Sequence, residues 1–344
     1  MATVLQDIAT HAAEFMPRRF LRNGHVQTIA GNFLPRVDML PPAESQLVEV
    51  SPAIDRQIAS QVRCDCHWQP ESVRASRPTA IIVHGLEGSS NSQYVVGNSN
   101  KLWQSGCNII RMNMRNCGGT EALTPTLYHS GFSSDVLVVM RFFIEQYGLE
   151  SISLVGYSMG GNLVLKLAGE FGEVIPHQLH SVIGVSPAVD LGPSADALHL
   201  PLNRPYEIKF LHALLRRFRR KADRFPHIYD PSRTVGVRSI REFDDRITAF
   251  YSGFRGADDY YYRAAAARVL DRIVVPTLIL HALDDPFLRI LPESRKLILA
   301  NPNITYIETN HGGHCAFLAT PDSASGYDGY WAEHTLLRFL LGHA

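Results

Sequence analysis

The hydrophobic positions of the chain form six short runs, separated by stretches with helical spacing. The runs are rich in β-branched residues and apolar almost without interruption, which is typical of strands covered on both faces in a mostly parallel sheet. The predicted strands are residues 79–85, 107–113, 151–157, 180–186, 276–283 and 304–309. The intervening stretches include residues 133–148, which begin on Ser and Asp and end on Gly, as helices do. This alternation predicts a doubly wound α/β sheet.

Two parts of the chain depart from the alternation. Residues 47–52 and 58–68 predict an antiparallel hairpin at the edge of the sheet. Residues 187–263 contain no run that predicts a central strand, and they include a long basic helix over residues 207–225. We therefore expect one domain of residues 1–344, with a helical cap inserted at about 187–263 over the carboxyl edge of the sheet.

The basic helix has an apolar stripe and a charged face. Phe210, Leu214 and Phe218 are predicted to pack downward onto the sheet. The side chains predicted to face outward are Arg216, Arg217, Arg219, Arg220 and Lys221. Such a face is either an ordinary solvated surface or a patch that makes transient contact with anionic lipid headgroups.

Composition excludes several classes of protein. The 344 residues carry zero formal net charge, so no electrostatic surface for nucleic acid is expected. Five cysteines form an odd set without the spacing of a disulfide framework, which indicates a reducing compartment. Cys64, Cys66 and His67 resemble half of a zinc site, but no second pair of ligands stands at the required distance.

The beginning of the chain does not have the pattern of a signal peptide or an anchor. Asp7 and Glu14 interrupt its apolar positions. No other window reaches the roughly 18 apolar residues needed to span a bilayer. We expect a soluble cytoplasmic protein, and no feature of the sequence indicates its oligomeric state.

A serine stands between two glycines at the end of the third predicted strand. The sequence of residues 156–160 is Gly-Tyr-Ser-Met-Gly, and an apolar helical pattern follows. The spacing G-x-S-x-G fits a sharp strand-to-helix turn that presents a serine hydroxyl outward. Gly and Ser are also ordinary turn residues. The functional interpretation of Ser158 therefore depends on whether an acid and a base follow in the right order.

A carboxylate and a histidine do follow in that order. A serine hydroxyl needs a base to take its proton, and a carboxylate fixes the tautomer of the histidine that does so. Asp284 and Asp285 come directly after the strand of residues 276–283. Asp285 lies nine positions after Pro276 and directly precedes Pro286, the register expected of the acid, whereas Asp284 is interpreted as a turn residue.

The last predicted strand leads into His-Gly-Gly-His at residues 311–314. We take His314, the later histidine, as the base. Two histidines can also bind a metal, but this pair lacks a third ligand.

Acyl transfer also needs hydrogen-bond donors for the oxyanion of its transition state. One predicted donor is the amide of Met159, which follows the serine. The other is the amide of Leu86, in the glycine-rich loop after the first predicted strand. This chemistry requires no cofactor.

Several longer motifs resemble those of the α/β-hydrolase fold and, more narrowly, of its YheT-like branch, which includes bacterial hydrolases and eukaryotic membrane-anchored lipid hydrolases. They lie at residues 22–28, 84–94, 115–121, 128–131, 156–162, 240–248, 281–287 and 311–317. The resemblance covers nearly the whole chain and implies that Ser158, Asp285 and His314 are nucleophile, acid and base. It implies hydrolysis of carboxylic esters, with acylglycerols, phospholipids or short acyl esters as substrates. The sequence shows no counterpart of the anchor of the eukaryotic relatives, so membrane residence is not carried over.

Two other functions use the same fold. An acyltransferase would pass the acyl group from the same serine to an alcohol or amine instead of water. A non-catalytic protein would keep the fold as a cup for a ligand, but it would have no need of a base behind its serine.

Overall fold

The computed structural model describes residues 15–53 and 58–343. Its strands are β1 (Glu44–Ser51), β2 (Ser60–His67), β3 (Thr79–Val83), β4 (Asn108–Met112), β5 (Ile152–Tyr157), β6 (Leu179–Val185), β7 (Thr277–Ala282) and β8 (Ile304–Thr309). They form one sheet in the order β1-β2-β4-β3-β5-β6-β7-β8. β1 and β2 pair antiparallel, and so do β2 and β4, whereas all other neighbours are parallel.

The helices lie on both faces of this sheet and above its carboxyl edge. They are α1 (Gly24–Phe33), α2 (Glu71–Arg74), α3 (Gln93–Gln104), α4 (Ser133–Tyr147), α5 (Met159–Phe171), α6 (Leu191–Leu198), α7 (Arg204–Arg224), α8 (Ile240–Phe243), α9 (Ala257–Ala264), α10 (Pro292–Ala300) and α11 (Trp331–Gly342). A π-helical segment, Asp244–Ala249, follows α8 directly. Helices α6 to α9 all lie between β6 and β7.

The predicted doubly wound, mostly parallel sheet is confirmed. All six predicted strands are present, with ends that differ from the prediction by at most two residues, and the edge hairpin is β1 with β2. The helix expected at residues 133–148 is α4, and Gly148 ends it in the left-handed conformation at φ 63°. Glycine adopts this conformation without steric cost, which explains why the helix ends there.

The uninterrupted apolar character of the central strands follows from burial on both faces. Leu154 of β5 lies in one hydrophobic core with Val164 of α5. The next residue, Val155, lies in the opposite core with Leu102 of α3 and Leu336 of α11. Each of these side chains is fully buried, which stabilises the fold by roughly 1.5–3 kcal/mol per side chain.

Helix α7 packs as predicted through Leu214 and Phe218, which are buried, and Phe210 lies against the same core. The prediction that Arg217 and Lys221 face outward is wrong. Lys221 Nζ donates hydrogen bonds to Asn116 Oδ1 at 2.5 Å and to the carbonyls of Glu121 and Thr124.

Both cations lie near the border of the apolar stripe, where a long aliphatic stem allows the charged end to reach inward. The basic side chains of α7 that remain exposed include Arg216, Arg219 and Arg220.

Within the part of the chain that the structure describes, no helix is both long and apolar enough to cross a membrane. The expectation about a signal peptide or anchor concerns mainly residues 1–14, which lie outside the described residues.

Candidate active site

Ser158 occupies the sharp turn between β5 and α5. Its backbone has φ 55° and ψ −115°, a strained conformation for a residue with a side chain. The flanking glycines make the turn possible. A Cβ atom at Gly156 would lie 2.2 Å from the carbonyl oxygen of Gly160, and one at Gly160 would lie 2.3 Å from that of Val83. The predicted G-x-S-x-G turn is therefore formed as the spacing indicates.

Asp285 and His314 are brought together at the carboxyl ends of β7 and β8. His314 Nδ1 lies 2.8 Å from Asp285 Oδ2, and Asp285 is 4% exposed. Asp285 Oδ1 accepts hydrogen bonds from the backbone amides of Phe287 and Leu288. Burial opposes ionisation of this carboxyl, but the interaction with His314 outweighs it and lowers the pKa of Asp285. The carboxylate can therefore fix the ring orientation of the histidine.

The neighbouring acid and histidine have different partners. Asp284 Oδ1 accepts a hydrogen bond from the amide of Gly313 at 2.8 Å, and its Oδ2 lies 3.4 Å from His311 Nδ1. Asp284 thus fixes the backbone of the loop of residues 310–318 after β8 (the histidine loop), whereas Asp285 contacts the imidazole of His314.

The other ring nitrogen of His314 is in contact with a thiol. Nε2 lies 3.5 Å from Cys315 Sγ. Burial acts to lower the pKa of His314, but the interactions with Cys315 and Asp285 raise it above its usual value. Among the described residues, no hydrogen bond joins the Ser158 hydroxyl to His314 Nε2. Catalytic hydrogen bonds are often long before substrate binds.

The loop after β3 lies directly beside Ser158. A Cβ atom at Gly85 would stand 3.1 Å from the Cβ of Ser158, so glycine permits this close approach. His84 orders the start of the loop. Its Nδ1 donates to the carbonyl of Gly85, its Nε2 accepts from the amide of Met114, and burial lowers its pKa to about 4.

The two predicted oxyanion donors border the same cavity as Ser158. Leu86 and Met159 both line it. Within the described residues, neither amide donates to a protein acceptor. The amide of Met159 is free because it opens α5 and has no earlier turn to bond to. Two N–H groups therefore remain available for an oxygen atom next to Ser158.

The cavity beside Ser158 has a volume of about 120 Å³, is partly open to solvent and is mainly apolar. It lies between the sheet and the helices that connect β6 to β7. Its apolar lining includes Leu127, Leu191, Leu198, Phe210, Leu214 and Phe287. The ring of Phe287 also packs against the imidazole of His314, with centroids 4.4 Å apart. An apolar group that enters the cavity would thus lie within reach of both the serine and the histidine loop.

Sequence reasoning missed the residues that support the histidine loop. Thr28 Oγ1 accepts a hydrogen bond from the amide of His314 at 2.8 Å. Gln27 donates from Nε2 to the carbonyl of Leu318 and accepts from the amide of that residue at Oε1. Both belong to the motif of residues 22–28, which the sequence indicates only as part of the family resemblance, without a contact for either residue.

The cysteines and histidines considered as metal ligands lie in two separate parts of the fold, β2 and the loop after β8. Cys64 and Cys66 are buried side chains of β2, and burial raises the pKa of both thiols. His314 is engaged by Asp285, as described above. Among residues 15–53 and 58–343, no group of three or more potential metal ligands occurs.

Comparison with known proteins agrees with this architecture. The family model for the alpha/beta hydrolase fold matches residues 78–321. "Putative esterase YheT" of Escherichia coli strain K12 is 32% identical over 313 residues, which cover 89% of this chain and 88% of that protein.

Phospholipase ABHD3 of Bos taurus is 29% identical over 248 residues, covering 71% of this chain and 59% of that protein. The matched region thus spans less than two thirds of that phospholipase. Among solved structures, Est1E from Butyrivibrio proteoclasticus superposes with a TM-score of 0.52 at 17% identity, covering 87% of this chain and 98% of that one. This last likeness shows the fold alone. The chain belongs to the α/β-hydrolase family and, within it, to the group that includes YheT.

Proposed function

We propose that the protein is a serine hydrolase that cleaves carboxylic esters through an acyl-enzyme. Ser158 is the nucleophile, His314 the base and Asp285 the acid of this proposal. The observation that carries it is a strained serine at an apolar cavity whose wall residue Phe287 packs against His314, the histidine whose Nδ1 lies 2.8 Å from a buried carboxylate. The names of the relatives, an esterase and a phospholipase, support the same chemistry.

The mechanism has two acyl-transfer steps. Ser158 Oγ attacks the ester carbonyl carbon while His314 Nε2 takes the hydroxyl proton. The carbonyl oxygen becomes an oxyanion and accepts hydrogen bonds from the amides of Leu86 and Met159. His314 then gives the proton to the departing alcohol, which leaves an acyl-serine. Water repeats the sequence on that intermediate and releases the acid. For the first step, His314 Nε2 must exchange its contact with Cys315 for one with Ser158.

The cavity favours esters with a short acyl group among the substrates that the family implies. Its volume of about 120 Å³ is close to that of an engineered apolar cavity of about 150 Å³ that holds benzene. An acyl chain of a few carbons fits such a space, whereas a long acyl chain of an acylglycerol or phospholipid requires the cavity to open. We therefore place short acyl esters ahead of long-chain lipids.

The helical segment expected at about residues 187–263 serves as a cap in this proposal, since its side chains form much of the cavity wall. Transient contact between the cap and anionic headgroups stays a prediction. The side chains that would make this contact are exposed basic residues such as Arg216 and Arg219, because Arg217 and Lys221 point inward. Equal binding to neutral and anionic vesicles would contradict it.

The proposal is tested with a series of p-nitrophenyl esters of increasing acyl length. Wild type is expected to show its highest kcat/KM with short chains, and Ser158→Ala is expected to lose turnover while it unfolds at a similar temperature. A folded Ser158→Ala variant that keeps a thousandth or more of the wild-type rate would count against Ser158 as the nucleophile.

A further inference from the structure

A charged pair joins the cap to the loop that carries the Leu86 amide. Arg217 of α7 donates from Nε to Glu87 Oε1 at 2.9 Å and from Nη2 to Glu87 Oε2 at 3.1 Å. Its Nη1 donates to the backbone carbonyl of Asn116 in the loop after β4. All three nitrogens of the guanidinium therefore have partners, and two of them hold the residue that follows Leu86.

Glu87 is fixed from a second direction. Tyr128 Oη donates to Glu87 Oε1 at 2.6 Å and lies 3.2 Å from the Glu87 amide, which can donate to it. The backbone of Glu87 has φ 57°, in the left-handed region that disfavours a residue with a side chain. Such a conformation persists only where surrounding contacts impose it. Among the described residues, the hydrogen bonds of Glu87 are those with Tyr128 and Arg217.

The Arg217–Glu87 pair is largely shielded from solvent. The side chains of Arg217 and Glu87 are 13% and 11% exposed. Water therefore replaces these hydrogen bonds poorly if one partner is removed. By contrast, Arg220 lies nearly one turn further along α7, is 51% exposed and contacts Glu121. Of the two pairs, only that of Arg217 reaches the loop beside Ser158.

We propose that Arg217 is a positioning residue, which sets the direction of the Leu86 N–H through Glu87 and so couples the seating of the cap to stabilisation of the oxyanion. This inference rests on the proposed function, because it requires Leu86 as an oxyanion donor. If the cap shifts, the left-handed turn at Glu87 loses its support and the Leu86 amide turns away from the reacting oxygen. Loss of one oxyanion donor lowers kcat by about 10² to 10³. Misdirection of one donor is expected to lower it by roughly 10- to 100-fold.

The test compares Arg217→Met with Arg220→Met as the matched control on the same helix. Titration with a fluorophosphonate measures the concentration of reactive sites in each preparation. The maximal rate divided by that concentration gives kcat per folded site. Arg217→Met is expected to lose roughly 10- to 100-fold in kcat per site, with KM changed less than about threefold, and Arg220→Met to match wild type. A trifluoromethyl ketone, which forms an oxyanion on the serine, should bind Arg217→Met more weakly by a similar factor.

Two further variants keep the test decisive. Glu87→Gln retains an acceptor for Tyr128. Its loss in kcat should not add to the loss in kcat of Arg217→Met when the two are combined in a double variant, because both substitutions act through one contact. If Arg217→Met does not fold, Arg217→Lys, which keeps the charge but not the two-pronged contact, takes its place with a smaller loss in kcat.

A kcat per site within twofold of Arg220→Met, or an unchanged affinity for the ketone, would overturn the positioning role. Ser158→Ala in the same series separates the two proposals. Turnover by that variant would refute the serine mechanism, whereas an inactive Ser158→Ala beside a fully active Arg217→Met would refute only the role of Arg217.

Discussion

Cys315 Sγ lies 3.5 Å from His314 Nε2, so the ring nitrogen that would accept the serine proton already contacts a thiol. The backbone amide of Cys315 donates a hydrogen bond to Ser186 Oγ at 3.1 Å, and the backbone of Cys315 has φ 62°. The thiol is thus held beside the imidazole by its own backbone. In the proposed mechanism, His314 Nε2 must leave this sulfur before it can accept the proton of Ser158.

Replacement of Cys315 by alanine is expected to shift the acidic limb of the kcat/KM profile to lower pH. The thiol and Asp285 together raise the pKa of His314, against the effect of burial. Without the thiol the pKa falls, so the imidazole becomes neutral, and able to act as a base, at a lower pH. The measurement is the pH dependence of kcat/KM for wild type and Cys315→Ala.

Cys107→Ala is the control for this comparison, because Cys107 is buried in the core that packs against α3. Its profile should match that of wild type. An unmoved acidic limb in Cys315→Ala, or one moved to higher pH, would show that the thiol does not govern the proton affinity of the base.

Asp285→Asn is expected to be far more damaging than Asp284→Asn. Loss of the carboxylate at Asp285 removes the charge that stabilises the imidazolium and allows the wrong tautomer, at a cost of about 10⁴ in kcat in a comparable triad. Asn at 284 can still accept the hydrogen bond from Gly313 through its side-chain oxygen. We expect a loss of less than about tenfold there. Steady-state kinetics of the two variants decide the matter, and the reverse order would move the acid by one position.

Gly160→Ala is expected to destabilise the protein, because the new methyl group would lie 2.3 Å from the carbonyl oxygen of Val83. Overpacking of this kind costs about 1–3 kcal/mol, and backbone atoms leave little room for relief. Gly192→Ala in α6 is the matched control, since its methyl group would meet its nearest neighbour at 3.5 Å. Chemical denaturation measures both free energies of unfolding. Equal stability of the two variants would show that the turn at Ser158 is not as tightly packed as described.

The sequence predicted the sheet and the position of the serine well, for a local reason. β5 is buried on both faces, so its continuous apolar run predicts the strand without reference to distant residues. The glycines around Ser158 predict a turn that is formed within five residues. The pairing of Asp285 with His314 could be predicted because chain order and strand ends already limit where each can lie.

The supporting contacts could not be predicted in this way. Arg217 lies beside the apolar stripe of an amphipathic helix, and only its charge favours the solvent side, yet its contact is with Glu87, 130 residues earlier. Thr28 meets the amide of His314 across 286 residues. Contacts of this kind depend on how loops from different strands meet at the sheet edge, and neither residue carries a local pattern that reveals its partner.

The nucleophilic role of Ser158 is tested most directly by mass spectrometry after treatment with a fluorophosphonate, which phosphonylates a reactive serine with loss of fluoride. We expect one adduct on wild type, located on the peptide that contains Ser158, and none on folded Ser158→Ala. An adduct of equal yield on Ser158→Ala, or a wild-type enzyme that hydrolyses esters while it remains unlabelled, would contradict that role.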